Sequence, residues 1–258
     1  MILRRLTQSL KEQNWTAIAI EFVLLVLGVF LGIQVANWNE QRREHALEAE
    51  YIARLQRDFS AIDARLTINL TRWENTAAAT IRLINDLGAF RQRPAWPRVK
   101  AEMLRDLDAT MGSRIPAPRA ASYVELLSAG RLGLLRDTHL REALADYDTQ
   151  AGFTLKAYDV LIQRVDPQRP TLVRHMQFDR SADAAQLDPQ KILRNGGEPW
   201  ADVDLTQLAS DPDIETALNT FASASFAHVL NVRLQQEKAV AVIALLEPDA
   251  KRTEGTPP

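Results

Sequence analysis

An apolar segment near the N-terminus constrains the fold of this chain more than any other feature. Residues 15–38 read WTAIAIEFVLLVLGVFLGIQVANW, with an unbroken apolar run from Phe22 to Ile33. A helix of this length reaches about 36 Å, which exceeds the ~30 Å hydrocarbon core of a bilayer. Trp15 and Trp38 flank the segment, and tryptophan is enriched at the lipid headgroup level. The sequence therefore predicts one transmembrane helix over 15–38, with Trp15 and Trp38 as interface anchors.

The same segment shares one feature with cleaved signal peptides, because basic residues precede it. A signal peptide, however, has a short apolar stretch and small residues before its cleavage site. Here the segment continues directly into NWNEQRREHALEAEYIARL, which is helix-forming sequence. We therefore expect an uncleaved anchor, preceded by a short basic tail over 1–14.

Lysine and arginine residues bear on the orientation of the span, because they are enriched on the cytoplasmic side of membranes. The basic residues before the span are Arg4, Arg5 and Lys11, and those shortly after it are Arg42, Arg43, Arg54 and Arg57. With three basic residues before the span and four after it, their numbers alone do not decide the orientation. A short basic tail is typical of the cytoplasmic end of a signal anchor, so we expect a cytoplasmic N-terminus and a periplasmic domain. The absence of cysteine is compatible with either compartment.

Three residues within the span are candidates for contact with another membrane helix. Gly28 and Gly32 form a GxxxG motif, whose small residues let a second helix approach closely, although such a pair also arises by chance. Glu21 is ionisable and lies near the membrane boundary, where a charge is costly unless it is paired or reaches the interface. Glu21 therefore predicts either interfacial hydration, or a polar contact with a partner helix or a protonation site.

A long helix is predicted directly after the span. Glycine and proline are absent from the chain between Gly32 and Gly88, and apolar residues recur there at steps of three and four. That spacing is the signature of one helical face. The apolar positions are Leu47, Tyr51, Leu55, Phe59, Ile62, Leu66, Leu70, Trp73 and Ala77. We expect the membrane helix to continue outward as a stalk that ends near Gly88.

Glycine and proline divide the rest of the chain into shorter segments. Loops are predicted at 88–97 and 112–118, helices at 98–111 and 120–129, and a turn at 130–133. Asp137 or Thr138 is expected to cap a further helix, which stops by Asp166-Pro167. Its predicted buried residues are Leu140, Leu144 and Tyr147, with Phe153, Leu155 and Leu161 as further candidates.

The last third of the chain contains an acidic region and one more long helix. Residues 179–215 are predicted to form a long irregular segment with a short helix near 189–194. A final helix follows Pro212 and runs to Glu247. Its apolar positions are Ile214, Leu218, Phe221, Val229, Val232, Val240 and Ile243. The tail from 248 to 258 is expected to be disordered.

These elements predict an all-α fold. No convincing alternating strand pattern is present, and two long helices bury their apolar stripes best by running antiparallel. The middle helices would complete an antiparallel bundle of about four helices. We expect this bundle, with the stalk, to occupy 39–247, and its C-terminal helix to point back toward the membrane.

Two stretches of sequence resemble a bacterial family of single-pass membrane proteins catalogued as a domain of unknown function. The first is the NWNE-R junction, Asn37 to Glu40 plus Arg42, directly after the span. The second is the later S-G-L-LLRD--LR-AL--Y segment, from Ser128 to Tyr147. The stretches that contain these two motifs, 22–59 and 121–148, cover about a quarter of the chain. The resemblance implies a bacterial envelope protein with a helical domain, and it brings no activity, cofactor or catalytic residue.

Composition and motifs point away from several classes of chemistry. A net charge of -2 disfavours nucleic-acid binding, and the absence of cysteine excludes disulfides and thiolate catalysis. The four histidines are scattered without metal-ligand spacing, and no nucleophile elbow, P-loop or GxGxxG motif is present. We therefore expect no catalytic residue, metal or cofactor, and no enzymatic activity.

Two functional hypotheses follow. The first is a bacterial inner-membrane protein that acts by protein–protein interaction, either as a homo-oligomeric scaffold or as an accessory subunit of a larger membrane complex. The second is an extracytoplasmic sensory or ligand-binding helical module, whose ligand the sequence does not identify. The first is favoured, because the short N-terminal tail is not expected to hold a cytoplasmic output domain.

Overall fold

The computed structural model describes residues 15–112, 116–179 and 200–247, with side chains from Ile20 onward. Helices dominate these residues, which confirms the all-α prediction. The helices are α1 (Trp15–Gln92), α2 (Lys100–Met111), α3 (Ala121–Ser128), α4 (Thr138–Val165), α5 (Arg169–Val173), α6 (Leu205–Ser210) and α7 (Ile214–Leu246). Two short strands are β1 (Met176–Phe178) and β2 (Trp200–Val203). The short helix expected near 189–194 and the disordered tail expected at 248–258 lie outside the described residues.

The chain divides into two compact units, Met1–Ile52 and Ala53–Pro258. The first unit contains the N-terminal part of α1, a helix long and apolar enough to cross a membrane, and the apolar window of this helix is not buried inside the protein. Its exposed side chains include Phe22, Leu24, Phe30 and Val35. An apolar surface of this length matches the hydrocarbon core of a bilayer.

The second unit is a helical bundle in which the C-terminal helix α7 runs antiparallel to α1. The Gln56 amide donates to the Leu246 carbonyl at 2.6 Å, and the Gln236 amide donates to the Thr67 hydroxyl at 2.9 Å. Farther along α1, Arg91 pairs with Glu215 near the start of α7. Residues of increasing number in α1 thus contact residues of decreasing number in α7. This order confirms the predicted antiparallel pairing of the two helices.

The other helices complete the bundle. Helix α4 packs antiparallel to α7, with a 2.8 Å ion pair between Lys238 and Asp146. Helix α2 folds back on α1, where the Thr76 hydroxyl donates to the Ala109 carbonyl at 2.9 Å. Helix α3 meets α1 through Asp58, whose carboxylate accepts from the Ser122 backbone N–H at 2.8 Å.

Local sequence signals set the boundaries of α3 and α4. Gly130 has a φ of 64°, and the N–H groups of Gly130 and Arg131 bond to the last carbonyls of α3. This is the glycine-terminated helix end known as a Schellman motif. At the start of α4, Asp137 accepts from the backbone N–H groups of His139 and Leu140, at 2.8 and 3.2 Å. The predicted helix stop and the predicted cap are both confirmed.

The stalk stripe forms part of the core. Leu55, Phe59, Ile62, Leu66 and Trp73 are all buried, as the spacing predicts. Two of the further candidates for burial on α4 were wrong, because Phe153 and Leu155 are each about half exposed.

The end of α1 and the presence of two strands both differ from what the sequence predicts. Helix α1 passes through Gly88 and ends at Gln92, because an isolated glycine lowers helix stability without forbidding it. The strands β1 and β2 pair antiparallel, with an irregularity between Gln177 and Phe178. They have only three and four residues, too few for an alternating pattern to stand out in the sequence.

Candidate functional site

Helix α1 brings the three predicted contact residues of the span onto one face. At 3.6 residues per turn, Glu21, Gly28 and Gly32 fall within an arc of about 40°. Leu25 lies on the same face between Glu21 and Gly28. The resulting spacing of four, three and four is the one by which two helices pack along a shared seam.

This face is open. A side-chain atom added at Gly28 or Gly32 would meet no neighbouring atom within 4 Å outside the helix backbone. Neither glycine is therefore packed against another segment of the described protein. A second helix could approach the α1 backbone here more closely than at any of the neighbouring large residues.

Of the two predicted interface anchors, Trp15 and Trp38, the structure describes the side chain of Trp38. Trp38 is 62% exposed, and the Arg42 guanidinium lies 5.4 Å from the centre of its ring. This cation–π contact holds a charge beside an aromatic ring at the end of the apolar segment. Trp15 is the first residue of α1, and its side chain lies outside the described residues.

A second exposed apolar surface runs along α7 in the helical domain, and we call it the α7 stripe. It consists of Ser223, Phe226, Leu230, Leu234, Glu237, Ala241 and Leu245. All seven residues are exposed, with Phe226 and Leu230 at 56% and 58%. Their spacing of 3-4-4-3-4-4 is an eleven-residue repeat, which keeps residues on one face of a nearly straight helix. The stripe therefore has the shape of a helix-packing seam without a partner in the described protein.

The sequence contained a signal for this stripe. Helix α7 has large apolar residues on more than one face, since it combines the buried positions with Phe226, Leu230 and Leu234. A helix of this kind is usually covered on more than one side. Periodicity alone did not show which apolar face α1 and α4 would cover and which they would leave exposed.

An apolar groove lies beside the stripe, between α4 and α7. Its volume is about 290 Å³. The α4 wall carries Phe153, Ala157 and Val160, and the α7 wall carries Ala224 and Ala227. The groove exists because the two alanines leave space opposite larger side chains. Lys156 and Arg164 complete the α4 side, and none of the described residues that line the groove carries a carboxylate.

His228 forms part of the groove lining and is otherwise enclosed by aromatic rings. Its ring centre lies 4.7 Å from that of Trp73 and 5.6 Å from that of Tyr158. The residue is 2% exposed, and neither ring nitrogen has a hydrogen-bond partner among the residues that the structure describes. Burial lowers the pKa of His228 to about 4, so the imidazole is uncharged at neutral pH.

A second buried histidine is paired. Nε2 of His175 lies 2.7 Å from a carboxylate oxygen of Asp211, and both residues are buried. The hydrogen bond with His175 holds the pKa of Asp211 below its ordinary value. Asp211 also accepts from the backbone N–H of Asp213 at 3.0 Å. This pair connects the end of α5 to the start of α7, so we interpret it as a structural contact.

A cluster of charges joins the end of α1 to α2. Arg98 donates to Asp86 at 2.9 Å and lies 2.8 Å from Asp106, while Arg82 donates to Asp106 at 3.0 and 2.6 Å. Both carboxylates are buried. Their charges are balanced by the two guanidinium groups, so the cluster is a structural clamp. Within the described ranges, no group of three or more His, Asp or Glu side chains is arranged to hold a metal ion.

No protein-family model, curated protein or solved structure matches this chain. The resemblance to a bacterial membrane-protein family therefore stays a prediction.

Proposed function

We propose that this chain is a single-pass protein of the bacterial inner membrane that acts by protein–protein interaction. It would serve either as a homo-oligomeric scaffold or as an accessory subunit of a larger membrane complex. In this proposal the N-terminus is cytoplasmic and the helical domain is periplasmic. The proposal assigns the chain no reaction and no cofactor.

The α7 stripe is the observation that carries the proposal. It presents large apolar side chains along a helix whose opposite face is already buried against α1 and α4. Contiguous exposed apolar surface of this kind is typical of interaction sites. A partner helix with apolar residues at the same spacing would cover it, and a cation on that helix would pair with Glu237.

The open face of the span supports the same proposal. Gly28 and Gly32 permit close approach of another membrane helix, and Glu21 would gain a polar partner there. Contacts within the bilayer and contacts outside it would reinforce each other, since a first contact raises the effective concentration for the second.

Native mass measurement of the full chain, gently extracted at its natural expression level, tests the proposal. We expect a homo-oligomer or a fixed stoichiometry with another membrane protein. Leu230→Glu should reduce this assembly, whereas Ile68→Glu, at a similarly exposed apolar residue of α1, should not. A monomer without any partner under these conditions would contradict the proposal.

The contribution of the span is tested separately. Gly28→Ile and Gly32→Ile should weaken assembly, because the added branch blocks close helix approach. Phe30→Ile is the matched control, since Phe30 lies between the two glycines on the opposite face of α1. Equal effects of all three variants would remove the glycine face from the proposal.

The proposed orientation has its own test. The chain has no cysteine, so a single cysteine introduced by His139→Cys gives one labelling site. The His139 side chain is 83% exposed. A membrane-impermeant maleimide should label it in intact spheroplasts, and labelling only after lysis would reverse the orientation.

A further inference from the structure

We propose that the groove between α4 and α7 binds a medium-chain aliphatic carboxylate, with its chain along the groove and its carboxylate on Arg164. This inference does not depend on the proposed assembly. It assigns the helical domain a ligand site distinct from the α7 stripe.

The apolar part of the groove selects an aliphatic chain. Phe153, Ala157 and Val160 follow one another along α4, opposite Ala224 and Ala227 of α7. Phe153 and Val160 remain 58% and 55% exposed, so a chain lying there removes apolar surface of both from water. The volume of about 290 Å³ accommodates roughly ten groups of methylene size, taking ~30 Å³ for each.

The charges of the lining select an anion. Lys156 and Arg164 line the groove, and neither has an ion-pair partner in the part of the chain that the structure describes. Because no carboxylate of the described residues lines the groove, the fixed charge of this lining is positive. His228 contributes an uncharged ring, so recognition of charge falls to the two cations on the rim.

Helix geometry places Arg164 at the end of the apolar line. At 3.6 residues per turn, Phe153, Val160 and Arg164 fall within an arc of about 40° on α4, whereas Lys156 lies roughly 60° to the side. An aliphatic chain that lies along Phe153 and Val160 therefore places its carboxylate beside Arg164. A guanidinium presents paired N–H donors that match the two oxygens of a carboxylate.

Fluorine NMR with decanoate fluorinated at its terminal carbon tests the inference on the full chain in lipid nanodiscs. Probe dissolved in the bilayer is identified in empty nanodiscs. We expect an additional, saturable resonance that unlabelled decanoate displaces. Octanoate should bind roughly tenfold more weakly, since each methylene is worth about a factor of three to four.

Four variants locate the site. Ala227→Leu fills the groove and should weaken binding at least tenfold, and Val160→Asn should weaken it through the opposite wall. Arg164→Gln should weaken it roughly three- to tenfold, as expected for an exposed charge-assisted contact. Leu155→Asn is the control, because Leu155 is 49% exposed on α4 and does not line the groove.

Three outcomes would overturn the inference. One is the absence of a saturable resonance. Another is unchanged binding in Val160→Asn, which decides the matter even if Ala227→Leu does not fold. The third is competition by decanol as strong as that by decanoate, which would show that no anion is recognised. Leu230→Glu should leave binding unchanged, so that failure of the ligand site and failure of the proposed assembly remain distinguishable.

Discussion

Tyr147 of α4 and Gln235 of α7 are joined by a buried hydrogen bond of 3.2 Å, in which the amide donates to the tyrosine oxygen. The same hydroxyl donates to the Pro118 carbonyl at 3.1 Å, and the ring packs edge-on against Phe59 of α1 at 4.9 Å. Burial raises the pKa of Tyr147 to about 12, so its proton stays in place at neutral pH. One side chain thus connects α1, α4, α7 and the loop before α3.

Tyr147→Phe should lower the free energy of unfolding by about 1–3 kcal/mol, because it leaves the Gln235 amide and the Pro118 carbonyl without a partner. Chemical denaturation of the full chain in detergent measures the change. Gln235→Leu provides the second corner of a double-mutant cycle. The double variant should cost less than the sum of the single variants, and strict additivity would contradict a direct coupling.

His228 should make stability depend on pH. Its pKa is about 4 in the folded protein and near 6.5 when unfolded, so the unfolded chain binds the proton first. The contribution of His228 to the free energy of unfolding is fully present above pH ~6.5. It is lost as the pH falls toward ~4, by about 3 kcal/mol in all. His228→Phe should remove this slope in denaturation curves, while His139→Phe, at an exposed histidine, should retain it. An identical slope in both variants would be evidence against the buried, neutral imidazole.

Arg98 should matter more than Arg82 for the clamp between α1 and α2. Arg98→Met leaves the buried Asp86 without its guanidinium, which should cost about 2–4 kcal/mol of unfolding free energy. Arg82→Met should cost less, because Asp106 keeps its contact with Arg98. Thermal unfolding of the two variants side by side gives the comparison, and the reverse order would show that Arg98 is not the central cation.

Gly130→Ala should destabilise the domain by about 1 kcal/mol, since a φ of 64° is strained for a residue with a side chain. The space around the position is open, so the cost is one of backbone conformation alone. Gly133→Ala is the matched control, because Gly133 has equally open surroundings and no positive φ. A change within about 0.5 kcal/mol is expected there. Equal thermal shifts in the two variants would contradict the conformational explanation.

Local features of the chain determined much of this protein. The apolar run predicts the span, and the three-and-four spacing predicts the buried line through Leu55, Phe59 and Leu66. The start of α4 at Asp137 and the end of α3 at Gly130 also follow from sequence. Each of these depends on residues within a few positions of one another, because hydrogen bonding in a helix and its capping are local. The candidate face of the span, with Glu21, Gly28 and Gly32, could be predicted for the same reason.

Tertiary structure alone decided the rest. It selected which apolar face of α7 is covered, so that Val232 is buried and Leu230 is exposed. It also formed the groove, whose walls come from Phe153 and Ala224 on two helices far apart in sequence. Burial and pairing of this kind depend on which segments meet in space, and the periodicity of a single helix contains no information about its neighbours.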